Sequence, residues 1–472
     1  MGPLFILGCC LATILFIVSI LPQTPIFKRN YNLPPGTIGW PIIGETFSYF
    51  ASPTAFIRHK MTKYSTTIFS TYFFGHNVVF LCGPAANKFI FSNEGKLFKV
   101  WIPETLSKIL CQPNYPKNSE LQSSWLLLDA PIHKFFRPDS IRDHVHVIDS
   151  VSREHVDRYW VPNTNKELKV YPLAKEFSFY LACRVMLDYS NTNSEQIRQL
   201  AKQFFILAED VFNVPVNFPG TPYYRAKKGG DKVLEMVTEI VKQRRKEATT
   251  MSPKEDVLGH ILMATDSNGH VYSDQQIARK IIGYLFAGFY STSSTIAILL
   301  CHLAQHPLVF EKVLQEQLEI VKDQREPGKL LHWKDVQKMK YSWNVVRESM
   351  RLLPPPTATF RVALTDFTYE GYTIPKGWKI GWDAHYTNTD PTYFKDPEKF
   401  DPSRFEEEGA SVPYTYVPFG GGPRMCKGNE FARILLLVFL HNVVTKFRLE
   451  EIDSQKKTSS NHTSFQLKVV RV

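Results

Sequence analysis

One stretch of the sequence, SDQQIARKIIGYLFAGFYSTSSTIAILLCHLAQHP, constrains the possible folds more than any other. Ser273 and Gln276 open it with the spacing of a capping box, and Pro307 ends it. The pattern predicts a helix of over thirty residues, which is longer than a typical globular helix. Its centre is apolar on nearly all sides, so we expect this helix to cross the core of a large domain.

Other segments predict a mainly α protein with a small β portion. Two more helices are indicated by WKDVQKMKYSWNVVRESMRLLPPP and NEFARILLLVFLHNVVTKF. Two stretches have hairpin spacing around glycine, TTIFSTYFFGHNVVFLCG and FTYEGYTIPKGWKIGW. The 472 residues are 44% hydrophobic, which allows a sizeable core.

The charge balance limits the possible partners. The formal net charge is +11, yet the sequence has neither a long Lys/Arg block nor a nucleic-acid motif, so we expect no nucleic-acid binding. A basic surface instead suits an anionic membrane or an acidic protein partner.

The N-terminal region contains an uncharged run from Leu4 to Leu21, near the lower length limit for a membrane span. A cleaved signal peptide and a retained anchor are the two alternatives. No cation precedes the run, whereas Lys28 and Arg29 follow it, which favours an anchor with the rest of the chain in the cytosol. We therefore predict an anchor over 1–24, a linker with a proline-rich hinge over 25–45, and one catalytic domain over 46–472.

The sequence has seven cysteines and no CxxC pair, which argues against a disulfide framework or structural zinc site and for a reducing compartment. Cys426 lies in PFGGGPRMCKG, just before a predicted helix whose N-terminus would stabilise a thiolate. The glycines would let the backbone approach a bulky planar group, and Arg424 could meet an anionic part of that group. A buried structural thiol on a turn is the alternative.

A second candidate cluster begins with Glu348 and Arg351, which are three residues apart on a predicted helix, so their side chains can meet. Arg404 follows in FDPSRF. Taken alone, the Glu348–Arg351 spacing is also that of an ordinary surface ion pair of little energetic value.

Together these segments resemble the cytochrome P450 family over essentially the whole chain. FGGGPRMCKG fits the family's haem signature, and ESMR with Arg404 fits its buried Glu-x-x-Arg cluster. The hydrophobic N-terminus, the LPPG hinge and the long central helix match as well. The resemblance implies a cytochrome P450 fold with an N-terminal transmembrane helix.

The resemblance also implies roles for individual residues. Cys426 would be the axial thiolate on the iron of haem b, as in other P450 enzymes. Arg424 and Arg361 would meet haem propionates, and Glu348, Arg351 and Arg404 would form a structural cluster that holds the loop. The remaining signature positions of the haem-binding loop are Phe419, Gly422 and Gly428.

A finer resemblance is to plant P450 enzymes that oxidise triterpenoids, with taxane hydroxylases nearby. It rests on NKFIFSNEGKLF, VPVNFPGTPYYRA, GYTIPKGWKIGW and PFGGGPRMCKGNEFAR. It implies a monooxygenase of the endoplasmic reticulum membrane with a cytosolic catalytic domain. Electrons would come from NADPH–cytochrome P450 reductase, and the substrate would be a hydrophobic terpenoid. A pentacyclic triterpene of the amyrin type is favoured, and a taxane-type diterpenoid is the alternative.

Two departures from the family pattern leave other functions open. Tyr290 and Ser291 stand where the family has an acid and a threonine that deliver protons, and a phenol is a poor relay at neutral pH. The segment 113–130 contains Lys117 as its only cation, whereas the family has a basic helix there. The alternatives are therefore a P450-fold isomerase or dehydratase, and a haem-binding product without activity.

Overall fold

The computed structural model describes most of the chain after the N-terminal region. The described residues are 12–13, 31–40, 43–64, 66–73, 75–110, 129–188, 195–211, 213, 215–248, 256–265, 269, 271–323, 328–355, 358–406, 412–452 and 466–472. The predicted anchor, apart from residues 12–13, and nearly all of segment 113–130 lie outside this description.

Helices form most of the described chain, as the sequence predicts. In chain order they are α1 (Thr46–Ala51), α2 (Pro53–Tyr64), α3 (Pro84–Asn93), α4 (Glu104–Ile109), α5 (Asp129–Phe135), α6 (Pro138–Arg142), α7 (Val145–Tyr159), α8 (Val170–Leu187), α9 (Glu195–Asp210), α10 (Pro222–Ala248), α11 (Val257–Leu262), α12 (Asp274–Gln305), α13 (Pro307–Asp323), α14 (Trp333–Lys338), α15 (Lys340–Leu352), α16 (Ala384–Asn388) and α17 (Asn429–Val444).

The strands are short and form three small sheets. In chain order they are β1 (Ile68–Phe73), β2 (His76–Leu81), β3 (Phe98–Val100), β4 (Glu167–Lys169), β5 (Ala358–Ala363), β6 (Phe367–Tyr369), β7 (Tyr372–Ile374), β8 (Lys379–Asp383), β9 (Phe447–Glu451) and β10 (Gln466–Arg471). Both predicted hairpins are confirmed, since β1 pairs antiparallel with β2 and β6 pairs antiparallel with β7.

The chain divides into two compact units. Unit 1 comprises Met1–Ile102, Pro356–Lys399 and Ser411–Met425, and unit 2 comprises the rest. Unit 1 contains a five-stranded sheet in the order β1-β2-β8-β5-β3, covered by buried aromatic and aliphatic side chains. The proline-rich connector is attached to this sheet, because Gly36 bridges Ser70 and Gly44 bridges Phe73.

Unit 2 is organised around α12, which has the length predicted from the sequence. Ser273 accepts a hydrogen bond from the Gln276 backbone N–H, and the Gln276 side chain accepts one from the Ser273 N–H, so the predicted capping box is confirmed. Helices α8 and α10 pack against α12, and α17 packs against α7. Among the described residues, α12 is the one helix long and apolar enough to cross a membrane, but it is mostly buried inside the protein.

One predicted helix is interrupted. The segment from Trp333 to the three prolines forms two helices, α14 and α15, because the backbone of the buried Met339 leaves the helical region. The Glu316 carboxylate on α13 accepts hydrogen bonds from the backbone N–H groups of Tyr341 and Ser342, at 2.7 and 3.0 Å. The break is tolerated because this carboxylate satisfies the N–H groups of the first turn of α15.

Candidate functional site

The predicted Glu348 cluster forms inside unit 2 and is buried. The Glu348 carboxylate accepts two hydrogen bonds from Arg351, from Nε at 2.7 Å and from Nη2 at 2.8 Å. It also accepts from Arg404 Nε at 3.2 Å and from the Asp401 backbone N–H at 2.9 Å. The side chains of Glu348 and Arg351 are fully buried, so the surface ion-pair interpretation does not hold. Helix α15 is thereby tied to the segment that carries Arg404.

The glycine-rich loop before Cys426 needs glycine at two positions for steric reasons. A Cβ on Gly421 would lie 2.5 Å from the Phe91 ring, and one on Gly422 would lie 2.3 Å from the Phe91 carbonyl oxygen. Gly422 also has φ of +64°, in the left-handed region. The loop therefore lies directly against the end of α3, within unit 1. Phe419, at the start of the loop, is partly buried.

Cys426 lies in unit 2, three residues before α17 begins at Asn429. It is a free cysteine in an exposed run from Gly422 to Lys427. Desolvation of the sulfur raises the pKa of the Cys426 thiol, whereas a hydrogen bond from the Gly428 backbone N–H and the Lys427 charge both lower it. Because the pKa is raised on balance, the free thiol is protonated at neutral pH. Cys426 is exposed as a residue, so it does not match the buried structural thiol that was the alternative interpretation.

The two arginines predicted to meet propionates lie in unit 1 and differ in their surroundings. Arg424 is exposed, and its guanidinium pairs with no residue that the structure describes. Arg361, on β5, is buried, and its Nε donates to Glu94 Oε2 at 2.8 Å. Its Nη1 donates to Thr359 Oγ1 at 2.7 Å. Sequence reasoning missed Glu94 and Thr359, whose contacts with Arg361 no local motif signals.

The proton-delivery candidates lie on α12. The Ser291 hydroxyl donates to the Ala287 carbonyl at 2.9 Å, and the Tyr290 ring stacks on Phe286 with centroids 6.0 Å apart. Desolvation, followed by the nearby Tyr171, raises the pKa of the Tyr290 phenol. Tyr290 is therefore an even weaker acid than a free tyrosine at neutral pH.

The same part of α12 has a small accessible strip. Ala287 is exposed although the helix is mostly buried, and a Cβ on Gly288 would meet no atom within 4 Å. Ser291, one turn after Ala287, is partly exposed. The strip therefore places the Ser291 hydroxyl on the accessible part of a mostly buried helix.

Comparison with known proteins gives one consistent result. The family model for cytochrome P450 matches residues 34–471. A beta-amyrin 6-beta-monooxygenase of Solanum lycopersicum is 42% identical, over 92% of this chain and 91% of that protein. A beta-amyrin 28-monooxygenase of Medicago truncatula is 40% identical, over 95% of this chain and 94% of that protein.

A solved structure agrees with these sequence matches. The retinoic acid-bound cyanobacterial CYP120A1 has a TM-score of 0.81 and 28% identity, and the match covers 94% of this chain and all of that one. This similarity and the family match confirm the predicted cytochrome P450 fold, mainly α with a small β portion, whereas the N-terminal transmembrane helix stays a prediction. The chain therefore belongs to the cytochrome P450 family.

Proposed function

We propose that the protein is a haem-thiolate monooxygenase that oxidises a pentacyclic triterpene of the β-amyrin type. The observation that carries the proposal is Cys426, an exposed free cysteine in a glycine-rich loop just before α17. The substrate class is supported by the two relatives described above, which are named for β-amyrin oxidation and match over more than nine-tenths of their length.

The family and its fold imply a haem iron with a thiolate ligand, and the described residues suit that group. Cys426 would ligate the iron, and Arg424 and Arg361 would bind the propionates. The tight packing of Gly421 and Gly422 against Phe91 leaves the loop no side chains on that side. Bound haem supplies oxygen activation and insertion into an unactivated C–H bond.

The protein's own tasks are to hold the substrate, exclude water and supply protons. Ser291 would keep the hydroxyl half of the pair, because its hydroxyl needs only to rotate away from the Ala287 carbonyl to donate a hydrogen bond elsewhere. Tyr290, with its raised pKa, would pack beside it and take little part in proton transfer.

The partners and location follow from the same proposal. A P450 monooxygenase requires a redox partner, and we assign that role to NADPH–cytochrome P450 reductase, whose acidic face would suit the net charge of +11. Residues 1–24 would anchor the chain in the endoplasmic reticulum membrane with the catalytic domain in the cytosol. Deletion of these residues should release the protein from the membrane fraction, and complete retention there would contradict the anchor.

The test is co-expression with a plant reductase in yeast that makes β-amyrin, followed by analysis of the products. We expect an oxidised β-amyrin and, in the reduced CO-bound protein, the spectrum of a thiolate-ligated haem. Cys426→Ala should abolish both, because no other described cysteine lies in a comparable loop. A variant that keeps the thiolate-type spectrum would disprove the ligand assignment.

A second candidate function is a P450-fold isomerase or dehydratase, which rearranges an oxygenated substrate without O₂. The observation that favours it is Tyr290, a phenol with a raised pKa at the position where the resemblance leads us to expect the acid of the proton-delivery pair. The two functions differ in their need for reductant. Product formation that continues without NADPH would favour the isomerase, and its loss would favour the monooxygenase.

A further inference from the structure

Glu94 and Arg361 form a buried ion pair in unit 1 that joins two distant parts of the chain. Glu94 follows the last residue of α3, and Arg361 lies on β5, 267 residues later. The two side chains are 5% and 9% exposed, respectively. Burying an ion pair costs folding free energy unless its hydrogen bonds have good geometry. The contacts of this pair therefore show how Arg361 is held in place.

The contacts of Arg361 fix the plane of its guanidinium and leave part of it available. Glu94 accepts a hydrogen bond from Nε, and Nη1 donates to the Thr359 hydroxyl and, at 3.5 Å, to the Phe360 carbonyl oxygen, both on the same strand as Arg361. Nη2 makes no hydrogen bond with any residue in the described part of the chain. Arginine has five N–H donors in a rigid fork, so a guanidinium held at two nitrogens can still receive a carboxylate at its outer edge.

We propose that Glu94 is a positioning residue that orients Arg361 to bind a haem propionate. The inference rests on the proposed haem function, and it adds a residue for which the sequence indicates no role. Glu94 acts through Arg361. Its carboxylate fixes the guanidinium plane and offsets part of the positive charge, so that Nη2 stays available to the propionate.

The first experiment separates orientation from charge with two variants of the full-length holoprotein. Glu94→Ala removes the hydrogen-bond acceptor and leaves Arg361 free to rotate. Glu94→Gln keeps an amide oxygen that can accept from Nε but removes the charge. The measurement is the rate at which haem passes to excess apomyoglobin.

We expect Glu94→Ala to lose haem roughly tenfold faster than wild type, the size of effect typical of one lost charged hydrogen bond. Glu94→Gln should stay within about twofold of wild type, because its hydrogen bond to Nε is kept. A Glu94→Ala protein that loses haem at the wild-type rate would overturn the proposal.

A matched control separates haem positioning from loss of stability. Glu45 pairs with Lys60 at 2.5 Å, also within unit 1, and these side chains are 15% and 5% exposed, respectively. Glu45→Ala therefore removes a comparable buried pair that does not include Arg361. We expect it to lower the unfolding temperature as Glu94→Ala does, but to leave the rate of haem loss unchanged. Equal acceleration in both variants would show that general destabilisation explains the effect.

The second measurement is the midpoint potential of the haem iron, which remains informative if Glu94→Ala does not fold. Removing a carboxylate near a propionate makes the reduced iron easier to form, so Glu94→Gln should shift the potential in the positive direction. An unchanged potential would place Glu94 away from the cofactor and overturn the proposal. A wild-type protein that binds no haem would instead refute the proposed function itself, so the two failures are distinguishable.

Discussion

Two buried glutamate–arginine sites in the described part of the chain are built differently. In unit 2, Glu348 accepts hydrogen bonds from two arginines and a backbone N–H, and it is fully buried with Arg351. In unit 1, Glu94 contacts a single nitrogen of Arg361, and Nη2 of that arginine has no partner among the described residues. The Glu348 carboxylate is saturated because it accepts four hydrogen bonds, whereas the Nη2 donors of Arg361 are unused by the described residues.

The difference separates a structural role from a binding role. A saturated carboxylate has no capacity for a ligand, which favours the structural role that the family resemblance implies for the Glu348 cluster. An arginine with unused donors in a mostly buried place is prepared to receive an anion. Substitutions at the two sites should therefore affect different properties, protein stability in one case and haem retention in the other.

The largest expected effect is that of Glu348→Ala. Removing the carboxylate leaves the buried Arg351 charge without its bidentate partner, which typically costs about 3–5 kcal/mol of folding free energy. The measurement is the free energy of unfolding in urea, with soluble yield as a second readout. Glu398→Ala, which removes the exposed pair between Arg58 and Glu398, is the control and should cost about 0–1 kcal/mol. Similar losses in the two variants would contradict the structural role of Glu348.

A smaller effect should distinguish the two arginines within the Glu348 cluster. Arg351 binds both carboxylate oxygens, whereas Arg404 contacts one oxygen through Nε at 3.2 Å. Lysine cannot reproduce a bidentate contact, so Arg351→Lys should cost about 2–3 kcal/mol and Arg404→Lys about 1 kcal/mol. The urea midpoints of both variants test this order, and a reversed order would show that Arg404 carries more of the cluster than its geometry indicates.

The smallest effect is expected at Thr359, the second partner of Arg361. Thr359→Val removes the hydroxyl that accepts from Nη1 and keeps the shape of the side chain. The loss of one such hydrogen bond, about 0.5–1 kcal/mol, should accelerate haem loss by roughly two- to fivefold. Thr359→Ser restores the hydroxyl and should restore the rate. A normal rate in Thr359→Val would mean that Glu94 alone orients the guanidinium.

Local patterns allowed much of the fold to be predicted. The capping residues of α12, the two hairpins and the Glu348–Arg351 spacing each depend on residues close together in the chain. The break between α14 and α15 was missed because the carboxylate that satisfies it comes from Glu316, 25 residues before Tyr341. The helical periodicity of a segment does not reveal a hydrogen-bond acceptor that lies elsewhere in the chain.

The site was predictable to the extent that its residues lie in motifs. Cys426 and Arg424 were found because they share one loop, and Arg404 because the family pattern includes it. Glu94 was missed because it meets Arg361 only after the sheet of unit 1 assembles, and one sequence contains no signal for a pair 267 residues apart. The roles of Cys426, Arg424, Arg361, Tyr290 and Ser291 remain predictions.

Unit 1 is built from three separate segments of the chain, and this affects how the chain folds during its synthesis on the ribosome. Unit 1 draws on Met1–Ile102, Pro356–Lys399 and Ser411–Met425, so its sheet lacks β5 and β8 until most of the chain has been made. At a synthesis rate of roughly 5–20 residues per second, Arg361 is added on the order of tens of seconds after Glu94. During that time β2 and β3 expose unpaired edges, which invite aggregation. Nascent chains should therefore depend on chaperones, and haem insertion should come late in synthesis or after it.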